Sequence, residues 1–273
     1  MPQRFNILRA YAKKQHPPNI PSAIYFSHTE TTLTIFDAFP KSFFHFLILP
    51  RRTSSVSIFD LANLPTLLRK DKFKARETLL GLNSESLRLR AKIEEEMQVR
   101  FGFKWDVWIG FHAVPSMEHI HLHVISADLC GKAMRTKKHY NSFSPKSGFF
   151  IPLADVLSLF DAAPSYYDTM SEFKKSQYEP KLKEDFVCFH CDLPQRNFPI
   201  LKAHLLSEFQ QLRKQAQRQQ ERAVDSTGIQ GPNKRKREGE DDTSSMSQGP
   251  QAKKCQLDED RPRESQNSIM DLD

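Results

Sequence analysis

The chain has 273 residues, enough for one good domain and an appendage. Its apolar share of 38% is low for a chain that is globular throughout, and a formal net charge of +7 with a pI near 9.2 points to a polyanionic partner. No apolar run is long enough to span a membrane, Met1-Pro2-Gln3-Arg4 does not open a hydrophobic signal region, and four cysteines, two of them in a Cys-x-x-Cys pair, read as metal ligands in a reducing compartment and not as a disulfide framework.

In chain order, residues 4–14 mix Phe5, Leu8, Tyr11 and Ala12 with Arg9, Lys13 and Lys14, which predicts a short basic amphipathic helix ended by Pro17-Pro18. Residues 32–36 and 43–49 are apolar runs rich in β-formers, and they predict paired strands around a polar turn that holds Asp37, Pro40 and Lys41. By itself Asp37 is an ordinary turn residue. By itself His45, in an apolar strand, is an ordinary satisfied core histidine. Residues 54–101 read as helical, a short segment over 57–68 and a long one over 72–101 in which Gly81 is a candidate interruption. Residues 105–112 alternate again and predict a strand that returns through the Pro115-Ser116 turn to pair with the next.

That next stretch is His119-Ile120-His121-Leu122-His123-Val124-Ile125, a strict alternation of histidine with core residues. Period two predicts a half-buried strand with His119, His121 and His123 on one face, neighbouring imidazoles starting about 7 Å apart. Two chemistries suit such a face. One imidazole can attack phosphorus while the others hold phosphate oxygens, because neutral histidine is a good nucleophile near pH 7. Alternatively, two alternating histidines can hold a catalytic zinc.

Residues 132–146 follow as a basic run of Lys132, Arg135, Lys137, Lys138, His139 and Lys146, expected as a loop that contacts phosphates. Cys188, Cys191, His204 and Glu208 give Cys-x2-Cys-x12-His-x3-Glu, the spacing of a two-cysteine, two-histidine finger with glutamate in the last place. His204 and Glu208 lie one helical turn apart, and no histidine follows His204, so a carboxylate is expected as the fourth protein ligand, with His190, whose place between the cysteines would strain the knuckle, as the nearby rival. Past residue 215 apolar periodicity ends and disorder is expected, with Lys234-Arg235-Lys236-Arg237 and Lys253-Lys254 reading as a nuclear localisation signal or, alternatively, as a nonspecific nucleic-acid-binding tail.

The run Ile35-Phe36-Asp37-Ala38-Phe39-Pro40-Lys41, then His45-Phe46-Leu47-Ile48-Leu49-Pro50 and the histidine alternation, resembles the histidine-triad (HIT) nucleotide hydrolases and transferases. Gly110-Phe111-His112-Ala113-Val114-Pro115-Ser116-Met117 and Lys137-Lys138-His139-Tyr140-Asn141-Ser142-Phe143 are similar, more specifically, to the aprataxin family, fungal type. The resemblance covers roughly residues 1–210 and implies an α+β HIT-like antiparallel sheet with flanking helices, a small zinc finger and a disordered C-terminal tail. The expected division is 1–165 for the catalytic domain with its DNA-end helix, 166–214 for the finger region and 215–273 for the tail. The triad region begins near residue 1, so no N-terminal phosphopeptide-binding domain is expected.

The resemblance implies DNA 5′-adenylate hydrolysis in single-strand break repair, by attack of His121 on the AMP phosphorus and release of AMP from a covalent intermediate by water. It assigns His119, His123, His45 and Ser116 to the phosphate oxygens, Asp37 to the ribose hydroxyls and Lys41 to a phosphate contact. His121 is expected to donate its other ring nitrogen to a backbone carbonyl. Lys137, Lys138 and His139 would touch DNA, and Phe5 would wedge against the terminal base pair. Phe43 stands where some aprataxins carry a basic residue, so a phosphate contact from there is not expected. One structural zinc ion per chain, a monomer, adenylated DNA ends at nicks or breaks as partners, AMP as product, no membrane and a nuclear location complete the expectation. On this reading zinc removal weakens DNA binding and spares turnover of a small substrate. The competing readings are a general HIT hydrolase of small adenylylated compounds or dinucleoside polyphosphates, and an inactive zinc-finger nucleic-acid-binding protein.

Overall fold

The computed structural model describes residues 6–226, with side chains to residue 222. Phe5 and the Lys234-Arg235-Lys236-Arg237 and Lys253-Lys254 clusters lie outside the described residues.

Alternation builds the sheet. β2 (Thr32–Phe36) pairs antiparallel with β3 (His45–Pro50), Leu33 opposite Leu49 and Ile35 opposite Leu47. β4 (Val107–His112) pairs antiparallel with β5 (Leu122–Ser126), Gly110 opposite His123. β3 and β5 join the two hairpins, with Leu47 opposite His123 and His45 opposite Ile125. β1 (Tyr25–His28), which the sequence did not announce, and β6 (Phe150–Pro152) close the edges, for the order β1-β2-β3-β5-β4-β6.

The helices are α1 (Ile7–Ala12), α2 (Leu64–Lys70), α3 (Lys72–Phe101), α4 (Lys137–Phe143), α5 (Leu153–Ser158), α6 (Pro164–Met170), α7 (Lys175–Tyr178) and α8 (Phe198–Ser226). Asp71 caps α3 by accepting from the Phe73 and Lys74 backbone N–H groups, and Gly102 ends it at φ 80, a left-handed conformation suited to glycine. Ala75, Leu79, Leu82, Leu89, Ile93 and Met97 form its buried stripe and cover one face of the sheet with Phe46, Ile48, Leu122 and Val124. Gly81 does not interrupt α3. It faces open space, so its cost is about the 1 kcal/mol that glycine loses against alanine in a helix.

Three other expectations change. The segment from residue 57 to Asn63 is turns, and the helix starts only at Leu64, where the Asn63 side chain accepts from Thr66 N–H at 2.9 Å. The basic stretch after the triad is helical over Lys137–Phe143, capped by Thr136. Helix α8 continues past residue 215 to Ser226.

The opposite face of the sheet carries His45, His123 and Ile125. There a second apolar cluster joins Ile125, Tyr140, Phe143 and Phe150 to Phe186, Cys188, Leu201 and Leu205 of the finger region. The two-stranded ribbon of β7 (Phe186–Val187) and β8 (Pro194–Gln195) leads into α8. Residues of the six-stranded sheet and of the finger region thus share one core.

Candidate active site and metal centre

Because β3, β4 and β5 are neighbours, His45, His112 and His123 fall on one face, with His121 just before β5. The ring centroids of His123 lie 5.3 Å from His45, 5.1 Å from His121 and 4.4 Å from His112. The Lys41 backbone N–H donates to His45 Nδ1 at 3.3 Å, so the His45 proton sits on Nε2, where it is donated to His123 Nδ1 at 3.0 Å. His123 therefore carries its proton on Nε2, a buried donor with no partner among the described residues. His121 Nδ1 donates to the His119 carbonyl at 2.8 Å, which leaves the lone pair on Nε2. Burial pushes His45 down to about 4, against the pull of Asp37. It lowers His121 against the His119 carbonyl and Asp37, and it holds His112 and His123 well below the usual imidazole range, reinforced by neighbouring imidazoles. The cluster is neutral at pH 7.

His119 departs from the expected face. Its φ of 85 is left-handed, its N–H donates to the Ala62 carbonyl at 2.8 Å, and its Nε2 donates to the Pro50 carbonyl at 2.8 Å. The histidine alternation therefore runs across a break in strand geometry, and β5 begins only at Leu122. What His119 presents to the cluster is its backbone carbonyl. Burial also pushes its imidazole down to about 4.

Asp37 Oδ1 accepts from Phe39 N–H at 2.7 Å, and Oδ2 lies 3.6 Å from His45 Nε2. Asp37, His45 and His123 bring three ligating atoms within 4.8 Å of one another, a set compact enough for a cation. Lys41 donates its ammonium to the Phe39 carbonyl, and burial lowers its pKa against the pull of Asp37. Ser116 is exposed on the β4–β5 connection. Lys137 pairs with Asp185 at 3.1 Å and lies over the Phe186 ring, so it is engaged with the finger region, whereas Lys138 is exposed. His139 is lowered by burial and then by Lys41 and Lys138, which places it beside that cationic rim. On the other side, Arg9 of α1 pairs with Glu118.

Three residues were missed by sequence reasoning. His112 had a signal, since the alternation of residues 105–112 beside the triad strand gives it the parity of the triad face. Asp128 and Tyr140 had none. Asp128 is buried and accepts from Phe43 N, Cys130 N, Trp105 Nε1 and Ser126 Oγ at 2.5–3.2 Å, fixing the chain just before His45. Glycine enables two close approaches. A Cβ on Gly110, opposite His123, would meet the Phe150 ring at 2.7 Å, and one on Gly131 would meet the Pro40 carbonyl oxygen and Ser42 N at 2.5 Å.

At the finger, ligating atoms of Cys188, Cys191 and His204 lie within 4.8 Å of one another. Cys191 Sγ is 3.2 Å and Glu208 Oε1 3.4 Å from His204 Nε2. Two thiols and an imidazole with a carboxylate one turn on are the donor set of a tetrahedral structural zinc, so the residues fit that ion. Two surface hollows, one beside Asp60, Lys70 and Lys74, the other beside Arg69, Lys72 and Tyr167, hold no imidazole or thiol and add no candidate chemistry.

Residues 146–211 match the family described as a C2HE / C2H2 / C2HC zinc-binding finger, and residues 6–139 the family described as scavenger mRNA decapping enzyme C-term binding. An aprataxin-like protein of Saccharomyces cerevisiae is 31% identical, covering 74% of this chain and 94% of its own length. An aprataxin-like protein of Drosophila melanogaster is 34% identical over 70% of this chain, and the aprataxin of Ciona intestinalis 32% over 64%. The chain spans only 25% and 40% of the length of those two relatives. The fold matches that of the aprataxin ortholog Hnt3 in complex with DNA, with TM-score 0.58 and 23% identity over 78% of this chain and 98% of that one. A second Hnt3 structure, in complex with DNA and guanosine, matches with TM-score 0.57 and 22% identity over 77% of this chain and 97% of that one.

Proposed function

The chain belongs to the aprataxin family, and from that premise we propose that it hydrolyses the pyrophosphate link of adenylated DNA 5′ ends, releasing AMP and restoring a 5′ phosphate. The observation that carries the reading is the 2.8 Å bond from His121 Nδ1 to the His119 carbonyl. It fixes the tautomer with a free Nε2 lone pair, and burial keeps that imidazole neutral near pH 7. Nε2 attacks the AMP phosphorus, the P–O bond to the DNA 5′-phosphate breaks, and the DNA leaves with its phosphate. Water then attacks the phosphorus, the P–N bond breaks, and AMP departs. The Nε2–H of His123 is a buried, unpartnered donor available to a phosphate oxygen. His45 holds His123 in that tautomer. Lys41 and Ser116 flank the phosphate, Asp37 takes the ribose, and Lys138 and His139 meet DNA.

Cys188, Cys191, His204 and Glu208 would hold one zinc ion, whose contribution is to fix the finger. A related chain solved with DNA supports a nucleic-acid substrate. A monomer in the nucleus belongs to the same proposal. A second reading, hydrolysis of small pyrophosphate-linked nucleotides, is favoured by the decapping-enzyme match over residues 6–139.

A panel of adenylated DNA, adenylated RNA–DNA and dinucleoside polyphosphates, assayed with zinc-loaded protein, separates the two. Adenylated nucleic acid is expected to give the highest kcat/KM by at least an order of magnitude. Equal or better kcat/KM on dinucleoside polyphosphates would overturn the DNA reading.

A further inference from the structure

Helix α4 touches both centres. Tyr140, on its first full turn, is almost fully buried, and its hydroxyl donates to the Val187 carbonyl at 2.8 Å while accepting from the Phe189 N–H at 3.2 Å. Those two groups flank the ligand Cys188. One residue further on, Asn141 Nδ2 donates to the Glu184 carbonyl at 2.8 Å and binds α4 to the bend that leads into β7 and the knuckle. Three residues after Tyr140, Phe143 stands edge-on to the imidazoles, 5.2 Å from both His45 and His123 at interplanar angles of 88° and 86°, and 4.6 Å from His112. A seven-residue helix is too short to flex between these contacts, so a shift of the knuckle moves Phe143 against the rings.

We propose that Tyr140 is a positioning residue that couples the finger's metal knuckle to the imidazole pocket, so that nucleotide held at the triad and metal held at the finger reinforce each other. The inference rests on the nucleotide-binding reading above, and it revises the expectation that metal removal spares the chemistry. Its thermodynamic consequence is reciprocal. If zinc tightens AMP binding by some factor, AMP tightens zinc binding by the same factor. Removing the Tyr140 hydroxyl leaves the Val187 carbonyl and Phe189 N–H without their partner and loosens the knuckle from α4.

The test measures zinc affinity of the full chain by competition with the chromogenic chelator pyridylazoresorcinol, with and without saturating AMP. Circular dichroism checks each variant, and calorimetry measures AMP binding separately. For the unaltered chain, AMP is expected to raise zinc affinity by roughly 5-fold or more. In Tyr140→Phe, which keeps the ring, zinc affinity without AMP falls and the AMP effect disappears. In Phe143→Leu, which keeps both knuckle hydrogen bonds, zinc affinity without AMP is unchanged and the AMP effect also disappears. A purely structural Tyr140 would lower zinc affinity and leave the AMP effect intact, which overturns the proposal. Zinc affinity indifferent to bound AMP in the unaltered chain overturns it too, while leaving the nucleotide reading standing. AMP that fails to bind the zinc-loaded chain at all overturns both.

Discussion

Phe209 follows the candidate ligand Glu208 on α8, and it joins α8 to the end of α3 and to the segments just before β3 and β4. Its ring lies 5.0 Å from Phe43, 4.9 Å from Trp105, 5.7 Å from Phe103 and 5.8 Å from Phe101. It is only 6% exposed. Replacing it by alanine removes a ring from a packed box and leaves a cavity that long-range neighbours cannot collapse into, a loss of about 3–5 kcal/mol. That is a large part of the 5–15 kcal/mol typical of a folded domain. At about 2–4 °C per kcal/mol for a unit of this size, Phe209→Ala should lower Tm by roughly 10 °C. The assay is thermal unfolding of zinc-loaded protein, followed by near-ultraviolet circular dichroism, in which the aromatic box contributes signal. A single transition is expected before and after substitution, because finger and sheet share their core. A drop of less than about 2 °C, or two separate transitions of which one stays put, would refute the reasoning that the finger folds with the sheet.

Acidification should destabilise the protein. His45 and His119 fall from about 6.5 to about 4 on folding, so their stabilising contribution is present above about 6.5 and is lost as pH drops towards 4, with His112, His121 and His123 shifted the same way. Buried Asp128, pushed up to about 6, opposes this below that pH, one group against five imidazoles. Urea midpoints that rise between pH 6.5 and 4.5 would contradict the balance. Gly131→Ala places a Cβ against the Pro40–Ser42 backbone that presents Lys41 N–H to His45 Nδ1, so kcat on a small adenylate should fall about tenfold or more, at least about 1.4 kcal/mol of barrier. Wild-type kcat would mean that the turn does not set the imidazole chain. Lys138→Glu should weaken adenylated-DNA binding, reduce the salt slope by about one and leave small adenylates alone, with fluorescence anisotropy across salt concentrations as the check. An unchanged salt slope would remove Lys138 from the DNA surface.

Much of the site was legible because strand parity is local. The alternation of residues 105–112 and of Leu122, His123 and Val124 fixed which side chains meet α3 and which meet the imidazoles. His119 escaped the same logic, since its left-handed backbone is held by the Ala62 and Pro50 carbonyls, both distant in sequence. Helix α4 escaped because Lys137-Lys138-His139-Tyr140-Asn141-Ser142-Phe143 has little helical propensity and no clean apolar period. Its helix depends on the Thr136 cap and on burying Tyr140 and Phe143. Short β1 gave too little alternation to read. The clustering of Cys188, Cys191 and His204 was legible from spacing alone, whereas the shared core beneath them rests on long-range pairs such as Tyr140 with Val187.

The most direct measurement of the central claim is intact-protein and peptide mass spectrometry of the protein quenched during incubation with adenylated DNA. An AMP adduct is expected on His121, stable in base and labile in acid, and His121→Ala should form none and release no AMP while still binding the substrate. AMP carried by another residue, or wild-type AMP release by His121→Ala, would contradict the claim that the His121 Nε2 lone pair is the nucleophile.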